Sequence, residues 1–104
     1  MSRGPDAATL LERALLASGA AAGCPVAVAR SELIRWSSVT FAGARHLVTL
    51  TAQASPALDD WVASLPEAEF ALRGHLVADL NVQRRSRDGE AVTIALEILT
   101  VEER

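Results

Sequence analysis

The chain has 104 residues, of which half are apolar and 22% are charged. This is ordinary globular composition that argues against disorder across the fold, and the length is typical of a single domain spanning residues 1–104. The formal net charge of −3 gives no electrostatic reason to expect general binding to nucleic acid, whose phosphates favour basic surfaces.

Cysteine usage and hydropathy indicate the compartment. The only cysteine, Cys24, has no partner for an internal disulfide, which favours a reducing environment. No segment approaches the roughly 18 uninterrupted apolar residues of a membrane span, and Asp6 and Glu12 do not suit a secretory leader. We therefore expect a soluble, cytoplasmic protein with no membrane partner.

The first half of the chain predicts a helix followed by a hairpin. Apolar residues recur at helical spacing over 6–18, and Asp6 stands in the N-cap position. Two strand-like runs follow at 26–41 and 45–53, and we expect the turn between them at Ala42-Gly43.

The second half repeats this order. It predicts a helix over 56–65 with Pro56 in the first turn, a strand over 69–85, a turn at 87–89 and a strand over 91–101. Few residues are identical between the halves, so the repeat is one of structure and does not prove a duplication.

Two α-β-β units predict an α+β fold, in which a four-stranded antiparallel sheet carries both helices on one face. Strand alternation places the following residues on the helix-covered side: Leu33, Val39, Phe41, Val48, Leu50, Ala52, Phe70, Leu72, Gly74, Leu76, Ala78, Leu80, Val82, Val92, Ile94, Leu96 and Ile98. The open side would then carry Val28, Arg30, Ile34, Trp36, Leu47, Thr49, Thr51, Arg73, His75, Val77, Ala95 and Leu99.

An apolar open face with an arginine rim is typical of a subunit interface. Trp36 is the better interface anchor, whereas Trp61 lies at helical spacing with Leu58 and Leu65 and belongs in the core. The alternative is a bulge between Arg30 and Trp36 that turns Ile34 and Trp36 inward. The candidate interface residues are Arg30, Ile34, Trp36, Arg73, His75, Arg84 and Arg85.

The sequence offers little catalytic chemistry. Two histidines without acidic neighbours at ligand spacing do not suggest a metal site, and no glycine-rich phosphate loop or nucleophile elbow occurs, so we predict no cofactor and no enzyme activity. Arg73, His75 and Asp79 alternate along one predicted strand and would form an acid–base group, although a solvated strand face explains them more readily.

A basic run closes the second hairpin at Arg84, Arg85 and Arg87. It would contact a phosphate backbone or an acidic partner, or it is simply a charged turn that protects a sheet edge from aggregation, and the charged turn is favoured.

Three segments together resemble a known group of proteins. They are the string from Trp36 to Leu50, the helix from Leu58 to Pro66 and the closing hairpin from Arg87 to Glu103. In the order of their elements they resemble the small tail-completion, or tail-terminator, proteins of tailed phages and of the gene transfer agents of alphaproteobacteria.

The resemblance implies a non-enzymatic structural subunit that forms a homo-oligomeric ring at the head–tail junction and meets tail-tube and head-connector proteins. A second hypothesis is a small-ligand-binding or regulatory domain, in which the open sheet face holds an apolar molecule with Arg30, Arg73 and His75 at its rim. An enzyme that uses His75 and Asp79 is the third.

Overall fold

The computed structural model describes residues 6–103, which form two α-helices, a short 3₁₀ helix and one antiparallel sheet of four strands, and this confirms the predicted α+β class. In chain order the elements are α1 (Ala7–Ala21), β1 (Val26–Ser37), β2 (Ala42–Gln53), α2 (Pro56–Ser64), the 3₁₀ helix (Leu65–Glu67), β3 (His75–Asp88) and β4 (Ala91–Glu102). The strand order is β1-β2-β4-β3, so β1 and β3 are the edges.

Both helices begin where their capping residues predict. The Asp6 carboxylate accepts a hydrogen bond from the Thr9 amide at 2.9 Å, and this bond holds the pKa of Asp6 below its ordinary value. The Ser55 hydroxyl accepts from the Leu58 amide at 3.0 Å, one residue before the first-turn proline Pro56. Each cap satisfies an amide that the helix itself leaves without a partner.

The two helices pack on the same side of the sheet, which we call the inner face. Leu11 and Leu15 of α1 and Leu58 of α2 are completely buried against it. The inner face contributes the buried strand residues Val48, Leu50, Leu80, Val92, Ile94, Leu96 and Ile98. Trp61 lies in this core as predicted, and its indole Nε1 donates a 2.8 Å hydrogen bond from α2 to the Ser18 hydroxyl of α1.

The first hairpin turns earlier than predicted. Residues 38–41 make the turn, and β2 already begins at Ala42, so the expected turn at Ala42-Gly43 is wrong. Ser38 closes it, because its amide donates to the Phe41 carbonyl at 2.7 Å and its hydroxyl accepts from the Phe41 amide at 3.0 Å. As a result Val39 and Phe41, which were expected in the core, lie exposed at the tip.

Strand β3 begins at His75 and not at Glu69. Residues 68–74 form a connection that ends at Gly74, whose φ of 83° places it in the left-handed region. Leu72 and Phe70 still pack on the core from this connection, which explains why their apolar pattern resembles a strand.

Bulges in the edge strands shift several residues to the other face. One lies between Val28 and Arg30, and two lie in β3, between Val77 and Asp79 and between Val82 and Arg84. Because of them Val28 and Val77 lie on the inner face, where they pack against the core, and the prediction that they face outward is wrong.

The same bulges correct the predicted orientation of two further residues in β3. Leu76 pairs with Val101 on the side away from the helices and is 55% exposed, so it is not a core residue as expected. Ala78 lies within the first β3 bulge and is also exposed.

Candidate functional site

The sheet face opposite the helices, here called the outer face, is covered by none of the residues 6–103. In the paired strands its residues stand in six rows across the sheet. From the end near the first hairpin turn, the first four rows are Trp36-Gly43-Val101-Leu76, Ile34-Arg45-Leu99-Asp79, Glu32-Leu47-Glu97-Asn81 and Arg30-Thr49-Ala95-Arg84, and the last two are Ala27-Thr51-Thr93-Ser86 and Gln53-Ala91-Asp88.

Hydrophobic side chains concentrate at the first-turn end of this face. We define the end patch by its six large members, Ile34, Trp36, Leu47, Leu76, Leu99 and Val101. The first row has no charge at all, whereas the fourth row carries an arginine at each edge. The outer face is thus apolar at one end and becomes polar along the strands toward the other end.

Charges on the first four rows are balanced. Three arginines, Arg30, Arg45 and Arg84, stand with the three carboxylates of Glu32, Asp79 and Glu97. Two ion pairs form within the face, Arg30–Glu32 at 3.3 Å and Arg45–Glu97 at 3.4 Å. The first four rows therefore carry no net charge, although the whole chain has a net charge of −3, and Asp88 in the sixth row adds one negative charge to the face.

Trp36 is held in place by Gly43, its direct partner on β2. A side chain at position 43 would collide with the backbone carbonyl of Thr100 and would lie 2.7 Å from Cζ2 of the Trp36 ring. The glycine thus lets the indole lie flat on the sheet, half-buried, with a buried Nε1 that has no hydrogen-bond partner among the described residues.

Two hollows flank the first-turn end of the sheet. One, of about 310 Å³, is lined by Arg35, Trp36, Ser37, Ala42, Gly43 and Glu102. The second, of about 410 Å³, lies at the start of β3 and is lined by Phe70, Ala71, Leu72, Arg73, His75, Leu76 and Glu103. We call the second one the β3 hollow; its lining combines apolar side chains with Arg73, His75 and Glu103.

The structure brings together four of the seven predicted interface residues. Arg30, Ile34, Trp36 and Arg84 lie on the outer face, and the bulge that was considered as an alternative does not occur between Arg30 and Trp36. Ile34 is 53% exposed there.

The other three lie elsewhere. His75 shares the inner side with Val77 and Glu102, and Arg73 lies in the connection before β3, so the prediction that they line the open face is wrong. Arg85 points to the helix side, where it forms an ion pair with Asp59 of α2. The basic run at the second hairpin is accordingly tied down in part by acidic neighbours.

The proposed acid–base group is not assembled. Asp79 lies on the outer face and His75 on the inner face, because a bulge separates them, and Arg73 is outside the strand. Burial raises the pKa of the Cys24 thiol, which disfavours a reactive thiolate. Across residues 6–103 no group of three or more histidine, cysteine or acidic side chains is arranged to hold a metal ion.

A buried polar pair on the inner face was missed by the sequence analysis. His46 of β2 is 1% exposed, and its Nε2 lies 2.8 Å from the Thr100 hydroxyl of β4, while its Nδ1 has no partner in the described chain. Burial lowers the pKa of His46, and its electrostatic interaction with His75 lowers it further, against smaller opposing effects of Asp6 and Glu12. The signal in the sequence was that His46 and Thr100 occupy core positions of otherwise apolar alternating strands.

None of the helices in the described part of the chain is long and apolar enough to cross a membrane. Comparison with known proteins gives no match to a protein family, to a curated protein or to a solved structure.

Proposed function

We propose that this protein is a non-enzymatic structural subunit that associates with further copies of itself through the outer face. The observation that carries the proposal is the end patch, a group of large hydrophobic side chains on a sheet face that residues 6–103 leave uncovered. Contiguous apolar surface of this kind on a small domain is typical of a protein–protein contact.

The size of the face suits a stable contact. Four strands at about 4.8 Å spacing, each with about twelve residues at about 3.3 Å, present roughly 19 by 40 Å, or about 760 Å². Stable interfaces bury about 800 Å² from each partner. The molecule is 46 Å long, so one face of the sheet is large enough to supply a complete interface.

The charges of the face favour a second copy as the partner. Arg30, Arg45 and Arg84 balance Glu32, Asp79 and Glu97, so the first four rows of two such faces meet without net repulsion despite the overall charge of −3. A strongly acidic or basic face would instead favour a partner of opposite charge. Self-association is thus the simplest way to cover the end patch.

The resemblance of the chain to tail-completion proteins suggests where such an assembly would act. On that basis we propose a ring of identical subunits at the head–tail junction of a phage-like particle or gene transfer agent, with tail-tube and head-connector proteins as neighbours. The uncharged first row of the outer face supports the proposal, because it contains no catalytic group and is suited to burial against another protein subunit.

A second candidate function is the binding of a small molecule. The β3 hollow favours it, because its lining brings the apolar side chains of Phe70, Leu72 and Leu76 together with the polar groups of Arg73 and His75. Such a site would hold an apolar molecule with a polar or anionic end. It predicts a monomer that gains thermal stability with a ligand, whereas the assembly function predicts association without one.

The test is sedimentation velocity over a range of protein concentrations, comparing the wild type with Ile34→Glu and Ala17→Glu. Both residues are exposed, but Ile34 belongs to the end patch of the outer face, whereas Ala17 lies on α1 at the other side of the sheet. We expect the wild type to associate, Ile34→Glu to weaken association by about tenfold or more, equivalent to ~1.4 kcal/mol, and Ala17→Glu to behave like the wild type.

Circular dichroism serves to check that both variants keep the fold. A wild type that stays monomeric up to about 1 mM, the weak end of measurable affinities, contradicts the proposal. Equal effects of the two substitutions would place any contact outside the end patch and would also contradict it.

A further inference from the structure

Exposed hydrophobic side chains are concentrated at one end of the molecule. In the part of the chain that the structure describes, five large hydrophobic side chains are exposed, and four of them, Ile34, Val39, Phe41 and Leu76, lie at the first-turn end. Ile34 and Leu76 belong to the end patch, whereas Val39 and Phe41 stand beyond the sheet on the tip, residues 38–41. The end patch alone therefore does not account for all of this exposed apolar surface.

The tip is a rigid and uncharged projection. Its side chains are those of serine, valine, threonine and phenylalanine, and the Val39 side chain is as exposed as in an open chain, with a relative accessibility of 103%. The two Ser38–Phe41 hydrogen bonds of 2.7 and 3.0 Å fix the loop. A loop that is already ordered loses little entropy when it binds, so this tip is suited to insertion into a partner.

The β3 hollow is the matching recess. Its lining includes the apolar side chains of Phe70, Leu72 and Leu76, and its volume of about 410 Å³ is large enough to take an apolar side chain. Arg73, His75 and Glu103 complete the lining. The uncharged tip thus has hydrophobic groups that can meet the apolar part of the hollow.

Sheet topology places the tip and the hollow at the same height on opposite edges. The tip joins β1 and β2 just beyond the row that contains Trp36 and Gly43, and the same row ends at Leu76, which lines the hollow beside β3. Because the sheet order is β1-β2-β4-β3, copies standing side by side present the tip of one to the hollow of the next.

We infer that the tip of one copy docks into the β3 hollow of an adjacent copy of this chain. This inference rests on the proposed self-assembly and adds a second contact to the one made by the end patch. The contact is heterologous, since two different surfaces meet, and such contacts close into rings when the rotation between copies allows. Val39 and Phe41 are then buried against Phe70, Leu72 and Leu76.

Crosslinking between two variants that each gain one exposed cysteine tests the contact. Val39→Cys places a thiol on the tip and Ala71→Cys places one at the hollow, both at exposed positions, while the native Cys24 is buried. The two proteins are mixed and treated with a short bismaleimide. We expect a covalent dimer that contains one chain of each kind and exceeds by about tenfold the yield from Val39→Cys mixed with Ala17→Cys, an exposed position on α1.

A second measurement uses Val39→Asp. This side chain is fully exposed, so the variant keeps its fold by circular dichroism, and the inference predicts weaker association in sedimentation by about tenfold or more. Leu16→Asp on the exposed side of α1 serves as the matched control and is expected to associate like the wild type.

The possible outcomes separate the inference from the proposed function. If the protein associates but Val39→Asp has no effect and the tip and hollow cysteines do not crosslink above the control, the inference is wrong and the proposed assembly stands. Crosslinking of Val39→Cys chains to each other would indicate a tip-to-tip contact and would also overturn it. A wild-type protein that stays strictly monomeric would contradict both the inference and the proposed function.

Discussion

Gly43 offers the most specific test of how the outer face is built, through the substitution Gly43→Ala. The added methyl group would collide with the Thr100 carbonyl oxygen of β4 and would lie 2.7 Å from Cζ2 of Trp36, whereas ordinary contact begins at 3.4 Å. The Trp36 ring can shift by several tenths of an ångström, but the carbonyl belongs to a central strand and cannot turn away. The substitution must therefore separate β2 from β4 locally.

The expected cost follows from this geometry. Overpacking a well-packed site costs about 1–3 kcal/mol and sometimes more, and a collision with the backbone of a central strand belongs at the upper end. We therefore expect Gly43→Ala to lower the free energy of unfolding by about 3 kcal/mol or more. At about 4–8 °C per kcal/mol for a domain near this size, Tm falls by about 12 °C or more.

Thermal unfolding followed by far-UV circular dichroism measures the effect. The same substitution in a Trp36→Ala background is the control, because the ring is then absent and only the clash with the Thr100 carbonyl remains. We expect a smaller but still clear cost in that background. A decrease in Tm of less than about 3 °C for Gly43→Ala alone would refute the reasoning.

Two further predictions concern the buried polar groups of the inner side. In the folded protein the pKa of His46 lies below its ordinary value of 6.5, so the unfolded chain binds a proton at this histidine more tightly than the folded chain does. The contribution of neutral His46 to the free energy of unfolding is therefore present above about pH 6.5 and is lost as the pH falls toward the lower pKa of the folded state. Urea unfolding at pH 7.5 and 5.5 should show a larger loss for the wild type than for His46→Gln, and equal losses would contradict this reading. Ser18→Ala leaves the buried Trp61 indole N–H without its acceptor, so it should lower the free energy of unfolding by about 1–3 kcal/mol, measured in urea. In a Trp61→Phe background the same substitution should lower it clearly less. Equal costs in the two backgrounds would show that the hydrogen bond contributes nothing.

Much of the fold could be predicted because local chemistry and global packing agree. Asp6 and Ser55 cap the helices, and the strict alternation from Val92 to Ile98 gives the inner face of β4 without interruption. These signals act over a few residues, so they can be read from the sequence directly. The outward orientation of Ile34 and Trp36 follows from the same alternation.

The errors about which face a residue occupies have a common cause, the bulges in the edge strands. A bulge adds one residue to a strand without a mark in the hydrophobic pattern, and each one exchanges the faces of the residues that follow it. The bulge after Val77 is the reason that His75 and Asp79 lie on opposite sides of the sheet. The first turn was misplaced because Gly43 looked like a turn residue, whereas its real role is to accommodate the Trp36 ring and the Thr100 carbonyl.

The position of these bulges has a consequence for how the protein can aggregate. All three interrupt the outermost strands, β1 and β3, while the inner strands β2 and β4 pair in continuous register. The two bulges in β3 leave this edge no continuous run longer than five residues, from Arg84 to Asp88, and this disfavours the addition of a further strand there. The β1 edge keeps eight continuous residues from Arg30 to Ser37, so it is the edge at which strand addition between copies is easier.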